Sequence, residues 1–87
     1  MEELQLLSRA RQADERGNYA GVLALVAEHE RSYPAGCLSE EREVLRVKAL
    51  VGLARGGEAR HAAAKFRRQF PHSVLLPRID DMLTSLQ

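Results

Sequence analysis

The chain has 87 residues, with 13 Lys and Arg against 12 Asp and Glu, and a formal net charge of +1. A single domain of this length buries about 60 to 65% of its unfolded surface, so its core is small. No stretch approaches the roughly 20 consecutive apolar residues of a membrane span, and the acidic start MEELQLLSRA is not a signal peptide. We expect a soluble, cytoplasmic protein, with a periplasmic location as the alternative if the chain is an excised domain.

Charge is distributed unevenly along the chain. Residues 1–43 hold nine acidic and five basic residues, net −4, whereas residues 44–87 hold eight basic and three acidic ones, net +5. Opposite signs favour packing of the two halves, or head-to-tail association, over a general nucleic-acid surface. The single Cys37 excludes an internal disulfide, and we expect it to be a small, half-buried residue at a helix start.

The spacing of apolar residues predicts helices from the beginning of the chain. Leucine and alanine recur every three or four residues from about residue 2 to residue 16, and Gly17 ends this first helix. Asn18 caps a second helix, which continues to about residue 33 and stops before Pro34.

Three further helices are predicted in the second half. A third helix, over about residues 38–54, is nearly apolar on all sides in VLRVKALVGLA, which is typical of a helix packed between neighbours. A Gly-Gly turn leads into a fourth helix over residues 58–70. Ser73 caps a fifth helix that tolerates Pro77 near its start. Since the loops are short, consecutive helices are antiparallel neighbours, and the predicted fold class is all-α with five antiparallel helices.

One phrase occurs twice in this sequence. RGNYAGVLALVAEHERSYP, residues 16–34, is echoed by RGGEARHAAAKFRRQFP, residues 55–71. An offset of 39 residues superposes the first helix on the third, with Gly17 on Gly56, whereas the second and fourth helices align by their terminal aromatic-Pro pairs. The repetition predicts stacked helical hairpins, because one hairpin alone cannot bury its apolar face.

The repeated residues resemble a degenerate tetratricopeptide repeat (TPR), a helix-turn-helix unit of about 34 residues. The residues that fit the pattern in the two copies are Leu6, Ala10, Gly17, Tyr19, Val22, Val26 and Pro34, then Leu45, Ala49, Gly56, Ala59, Ala63, Phe66 and Pro71. The resemblance implies one TPR-like domain over residues 1–87, with repeats at about 2–36 and 37–73 and a capping helix at about 74–86. The chain is also similar to TPR-like domains of bacterial regulatory and envelope-assembly factors.

The resemblance implies a non-catalytic protein-protein interaction or adaptor module whose partner contacts an inner wall built from the first helix of each hairpin. The residues expected on that wall are Leu7, Arg11, Asp14, Glu15, Arg42, Arg46, Leu50 and Leu53. If Leu50 and Leu53 are exposed, the wall suits an amphipathic or acidic helix; the alternative is that they are core. A first rival function is homodimerisation, in which the polarised halves and the last helix dock on a second copy.

Chemistry beyond binding is not predicted. His29, His61, His72 and Cys37 lie in separate segments, so no metal site is expected. The acidic pairs are adjacent in sequence and no phosphate-binding motif occurs, so we expect no catalytic residues, no cofactor and no enzyme.

A second rival function is nucleic-acid binding by the basic fourth helix. The cations in question are Arg55, Arg60, His61, Lys65, Arg67, Arg68, His72 and Arg78. They have no aromatic stacking partners and are spread around the helix, so we expect a solvated face rather than a nucleic-acid site.

Overall fold

The computed structural model describes residues 2–86, and all regular structure within them is helical. The helices are α1 Glu3–Glu15, α2 Tyr19–Ser32, α3 Ser39–Gly52, α4 Gly56–Gln69 and α5 Leu76–Thr84. Each helix packs on the next one, and α3 also contacts α1 and α5. The all-α prediction of five helices without strands is confirmed for this part of the chain. No helix in it has both the length and the apolar character needed to cross a membrane.

The turn between α1 and α2 forms as the sequence predicts. Gly17 has a φ of 72°, and the N–H groups of Gly17 and Asn18 donate to the carbonyl oxygens of Asp14 and Ala13 at 2.9 and 2.8 Å. These bonds constitute a Schellman motif, which requires a left-handed residue after the helix. The Asn18 side chain then accepts a hydrogen bond from the Gly21 N–H at 3.1 Å and so caps α2.

Two of the later helix starts differ from the prediction. α4 begins at Gly56 rather than at residue 58. The N-cap residue of α5 is Leu75, while Ser73 Oγ accepts a hydrogen bond from the Leu75 N–H at 3.0 Å and stabilises the turn that precedes the helix. Pro77 lies in the first turn of α5 as predicted.

Cys37 is exposed rather than half-buried.

Two apolar clusters lie on opposite sides of α3. The cluster shared by α1, α2 and α3 contains Leu7, Ala10, Ala13, Val22, Val26, Leu45 and Ala49. The cluster shared by α3, α4 and α5 contains Val44, Val47, Ala63, Phe66 and Ile79. Because α3 contributes to both clusters, two of its faces are buried, and the expectation that it is packed between neighbours is confirmed.

A single offset relates the two copies of the repeat. The bounds of α2, 19 and 32, become those of α4, 56 and 69, when 37 is added, and the start of α3 at 39 becomes that of α5 at 76. The turns before α3 and α5 also share their hydrogen bonds: Gly36 and Ser39 donate to the carbonyl oxygens three residues back, and so do Ser73 and Leu76.

Ala54, and not Gly56, occupies the position of Gly17 in the second copy. Ala54 has a φ of 60°, and the N–H groups of Ala54 and Arg55 donate to carbonyl oxygens in the last turn of α3, as in the motif that closes α1. The 39-residue alignment of the first and third helices is therefore wrong. That alignment pairs two glycines, since glycine is the usual residue at a left-handed position, whereas here alanine adopts this conformation.

Candidate functional site

Three of the residues expected on an exposed wall are buried, which corrects the prediction for them. Leu7 is 0% exposed, Arg42 4% and Leu50 6%. Leu7 packs in the cluster between α1, α2 and α3, and Leu50 is a core residue, as the alternative interpretation held. Because their side chains are covered by the protein itself, these three residues do not form a docking surface.

Arg42 belongs to a buried polar cluster between α1, α2 and α3. Its Nε donates to Glu43 Oε2 at 2.6 Å, and its Nη1 lies 3.4 Å from His29 Nδ1 and 3.4 Å from the Tyr33 carbonyl oxygen. A guanidinium group only donates hydrogen bonds, so His29 Nδ1 accepts the one from Arg42. The ring hydrogen is then on His29 Nε2, which donates to Glu3 Oε1 at 3.2 Å. These partners assign the tautomer of a fully buried histidine.

The Glu3 carboxylate connects the first turn of α1 to the turn between α2 and α3. Its Oε1 also accepts a hydrogen bond from the Leu38 N–H at 3.2 Å. A Cβ atom at Gly36 would collide with this carboxylate, so the absence of a side chain at Gly36 makes the contact available. We therefore assign this cluster a structural role, since it satisfies buried polar groups among themselves.

Arg46 and Leu53 also lie away from the predicted wall. Arg46 Nη2 donates to Glu30 Oε1 of α2 at 2.7 Å, and its Nε lies 3.4 Å from Glu43 Oε1. The hydrogen bond from Arg46 holds the pKa of the Glu30 carboxyl below its ordinary value of 4.5. Leu53 is half-buried just after the end of α3 and lines neither of the depressions described below.

The remaining predicted residues, Arg11, Asp14 and Glu15, line a depression of about 160 Å³ between α1, α3 and α5. The sequence interpretation missed the side chains that complete it. Those side chains are Glu41, Val44, Leu45 and Lys48 of α3 and Arg78 of α5.

Two ion pairs cross this depression from α1 to α3. Arg11 Nη2 lies 2.5 Å from Glu41 Oε1, and Lys48 Nζ lies 2.7 Å from Asp14 Oδ2. The other carboxylate oxygen of Asp14, Oδ1, is buried and has no hydrogen-bond partner within residues 2–86. Four of the six charged side chains that line this depression are therefore paired with one another.

A second depression, of about 320 Å³, lies where α3 and α5 begin. It is lined by Cys37, Leu38, Glu40, Glu41, Val74, Leu75 and Arg78. Val74 is 89% exposed, and Leu38 and Leu75 beside it are half-buried. Glu41 and Arg78 line both depressions. We call the two together the α3 groove; it has an apolar end at Val74 and a charged end at Lys48.

Three of the four wall residues predicted on the third helix correspond to wall residues of α1 under the 39-residue offset. Arg46, Leu50 and Leu53 each lie 39 residues after a predicted wall residue of α1. An error of two residues turns the selected helix face by about 200°, since each residue advances an α-helix by about 100°. The observed offset instead carries Arg11 onto Lys48, and both residues line the groove.

The cations of α4 lie on its exposed side. Two of them are in ion pairs: Arg67 pairs with Asp80 of α5, and Arg55 lies 3.8 Å from Glu58. The other exposed basic side chains in or next to α4 are Arg60, His61, Lys65, Arg68 and His72. Residues 2–86 contain no group of three or more His, Cys, Asp or Glu side chains placed to hold a metal ion.

Comparisons of the chain with family models, with curated proteins and with solved structures find no match.

Proposed function

We propose that this chain is a non-catalytic protein-binding module built from TPR-like antiparallel hairpins, and that its partner binds in the α3 groove. The observation that carries the proposal is that side chains of α1, α3 and α5, far apart in sequence, line two depressions that share Glu41 and Arg78. In stacked helical repeats, the curved surface formed across successive repeats is the binding surface. The 37-residue offset gives α3 and α5 equivalent places in such a stack.

The chemistry of the groove supports a protein partner. Its apolar end presents Val74, Leu38 and Leu75, and charged side chains surround the rest. Protein interfaces likewise combine apolar contacts with polar ones. An adaptor role, and the link to bacterial regulatory or envelope-assembly factors, follow from the TPR resemblance.

The proposal is tested by comparing two substitutions that place the same charge on two exposed apolar positions. Val74→Asp changes the apolar end of the groove, and Leu4→Asp changes an exposed leucine of α1 that lines neither depression. Each purified chain is immobilised and the proteins captured from a bacterial lysate are quantified. We expect proteins that the wild type and Leu4→Asp retain but Val74→Asp loses. Equal capture by both variants would overturn the proposal.

Homodimerisation is tested on the same variants. We expect the wild-type chain to sediment as a monomer over a broad concentration range at low and moderate salt, which leaves the groove free. A concentration-dependent dimer that Val74→Asp abolishes, and Leu4→Asp does not, would show that a second copy occupies the groove. The homodimerisation function would then replace the present proposal.

A further inference from the structure

The ion pair between Arg11 and Glu41 joins α1 to α3 across the groove, with 2.5 Å between Arg11 Nη2 and Glu41 Oε1. The 37-residue offset carries Arg11 onto Lys48 of α3 and Glu41 onto Arg78 of α5. One repeat further along the groove, an attractive pair is thus replaced by two cations. Both cations line the same depression as the original pair.

The two cations differ in how they are neutralised. Lys48 pairs with Asp14 at 2.7 Å, whereas Arg78 is exposed and forms no ion pair within residues 2–86. Arg78 also lies where the charged and apolar ends of the groove meet, since it lines both depressions. Arg78 therefore occupies the position at which the preceding repeat has the carboxylate of Glu41, and it has no carboxylate partner within residues 2–86.

We infer that the α3 groove takes an acidic amphipathic segment of a protein partner, with one carboxylate on Arg78 and an apolar side chain against Val74 and Leu75. Arg78 stands where the preceding repeat has the acidic Glu41, so the carboxylate that pairs with it comes from the partner. An arginine can bind a carboxylate through two parallel hydrogen bonds, which gives both orientation and strength to such a contact. The inference rests on the proposed protein-binding function and specifies the chemistry of the partner.

Other charges in the groove limit how acidic the partner segment is. Glu15 lines the first depression and Glu40 the second, and neither forms an ion pair within the part of the chain that the structure describes. They repel a run of carboxylates, and they also repel the phosphates of a nucleic acid. One acidic residue at Arg78, flanked by apolar or neutral residues, is the pattern that these charges favour.

The experiment uses a display library of random 16-residue peptides, selected on the immobilised full chain. Enriched peptides are synthesised and their Kd values are measured by fluorescence anisotropy. The variants are Arg78→Glu, Val74→Asp and the control Arg9→Glu, which reverses an exposed charge of α1 outside both depressions. Circular dichroism checks that each variant keeps the helicity of the wild type.

We expect enriched peptides with one Asp or Glu close to an apolar residue. Arg78→Glu weakens their binding by about tenfold or more, as expected for reversing one charge of an interfacial pair, while Arg9→Glu leaves the Kd within about twofold. A peptide whose acid is replaced by Lys regains affinity for Arg78→Glu.

Two outcomes separate failure of this inference from failure of the proposed function. The acidic-segment inference alone would be overturned if the peptides that Val74→Asp fails to bind contain no acidic residue. It would also be overturned if Arg78→Glu and Arg9→Glu changed the Kd of these peptides equally. Absence of any enriched peptide that depends on Val74 would overturn both.

Discussion

The junction between α2 and α3 and the junction between α4 and α5 occupy equivalent places in the repeat but differ in chemistry. At the first junction His29 and Arg42 are buried, with exposures of 0% and 4%; the 37-residue offset places Phe66 and Ile79 at the same positions of the second, with exposures of 1% and 0%. The first junction therefore buries a hydrogen-bonded polar cluster where the second buries hydrocarbon.

Aromatic pairing is retained at both junctions. The rings of His29 and Tyr33 lie 5.7 Å apart, and those of Phe66 and Phe70, one repeat later, lie 5.1 Å apart. The same helix geometry thus accepts either kind of interior. The polar cluster of the first junction adds directional hydrogen bonds. The Glu3 carboxylate must contact both His29 and the turn before α3, so these bonds fix the position of α1.

The largest effect on stability is expected from Arg42→Ile, which places in the first junction the residue type that Ile79 provides in the second. Arg42→Ile should lower the free energy of unfolding by up to about 3 kcal/mol, because the buried Glu43 carboxylate loses its 2.6 Å partner and keeps only the 3.4 Å contact with Arg46. Urea denaturation measures the loss. Adding Glu43→Gln should recover part of it, since a neutral amide needs no counter-ion. An unchanged midpoint for Arg42→Ile would mean that the polar cluster is not formed as described.

The next largest effect concerns a contact between the two copies, in which Tyr19 of α2 packs against Gly52 of α3. The Tyr19 ring lies 2.6 Å from where a Cβ atom at Gly52 would stand, so Gly52→Ala should cost about 1 to 3 kcal/mol by overpacking. In a Tyr19→Ala background the cost should vanish. Gly57→Ala is the control, because nothing lies within 4 Å of its Cβ position. Thermal unfolding separates the two glycines, and equal effects would contradict the contact.

Gly17 and Ala54 both have left-handed backbone conformations, and exchanging Gly and Ala at the two positions should change stability in opposite directions. Gly17→Ala should lower stability by about 1 kcal/mol, because an L-residue pays that amount in this conformation. Ala54→Gly should raise stability by up to about 1 kcal/mol, reduced by the greater entropy of glycine in the unfolded chain. The corresponding Tm shifts are about 4 to 8 °C per kcal/mol for a domain of this size. Shifts of the same sign would show that the two turns are not equivalent.

The smallest effect is a dependence on pH at the edge of the first junction. The pKa of Glu30 is lowered chiefly by its hydrogen bond from Arg46, so the unfolded state binds more protons between the two pKa values. Stability from this pair is present above pH 4.5 and is lost as the pH falls through the folded-state pKa. The Glu30 side chain is 40% exposed, and screening by water limits the change to a few tenths of a kcal/mol.

Glu30→Gln tests this dependence. Its unfolding free energy, measured by urea titration from pH 7 to pH 3, should fall less on acidification than that of the wild type. Identical acid profiles for the two proteins would mean that Arg46 does not hold Glu30 in its charged form.

Part of the α3 groove could be predicted from the sequence and part could not. Arg11, Asp14 and Glu15, which the sequence predicts on one exposed side of α1, line the same depression, because the apolar spacing of α1 determines which side of that helix faces away from the core. Lys48 and Arg78 were missed as groove residues. α3 is apolar on two faces, so its spacing alone does not select the exposed side, and the offset that would have selected it was misjudged by two residues.

The sequence by itself determined the five helices, the cap at Asn18 and the turn at Gly17, because these depend on the spacing and identity of neighbouring residues. Only the tertiary structure decided that Ala54 repeats the turn of Gly17, that Arg42 is buried, and that Arg78 lies beside Lys48 in one groove. These features arise from contacts between helices. Several registers satisfy the same local pattern, and packing against the neighbouring helices selects one of them.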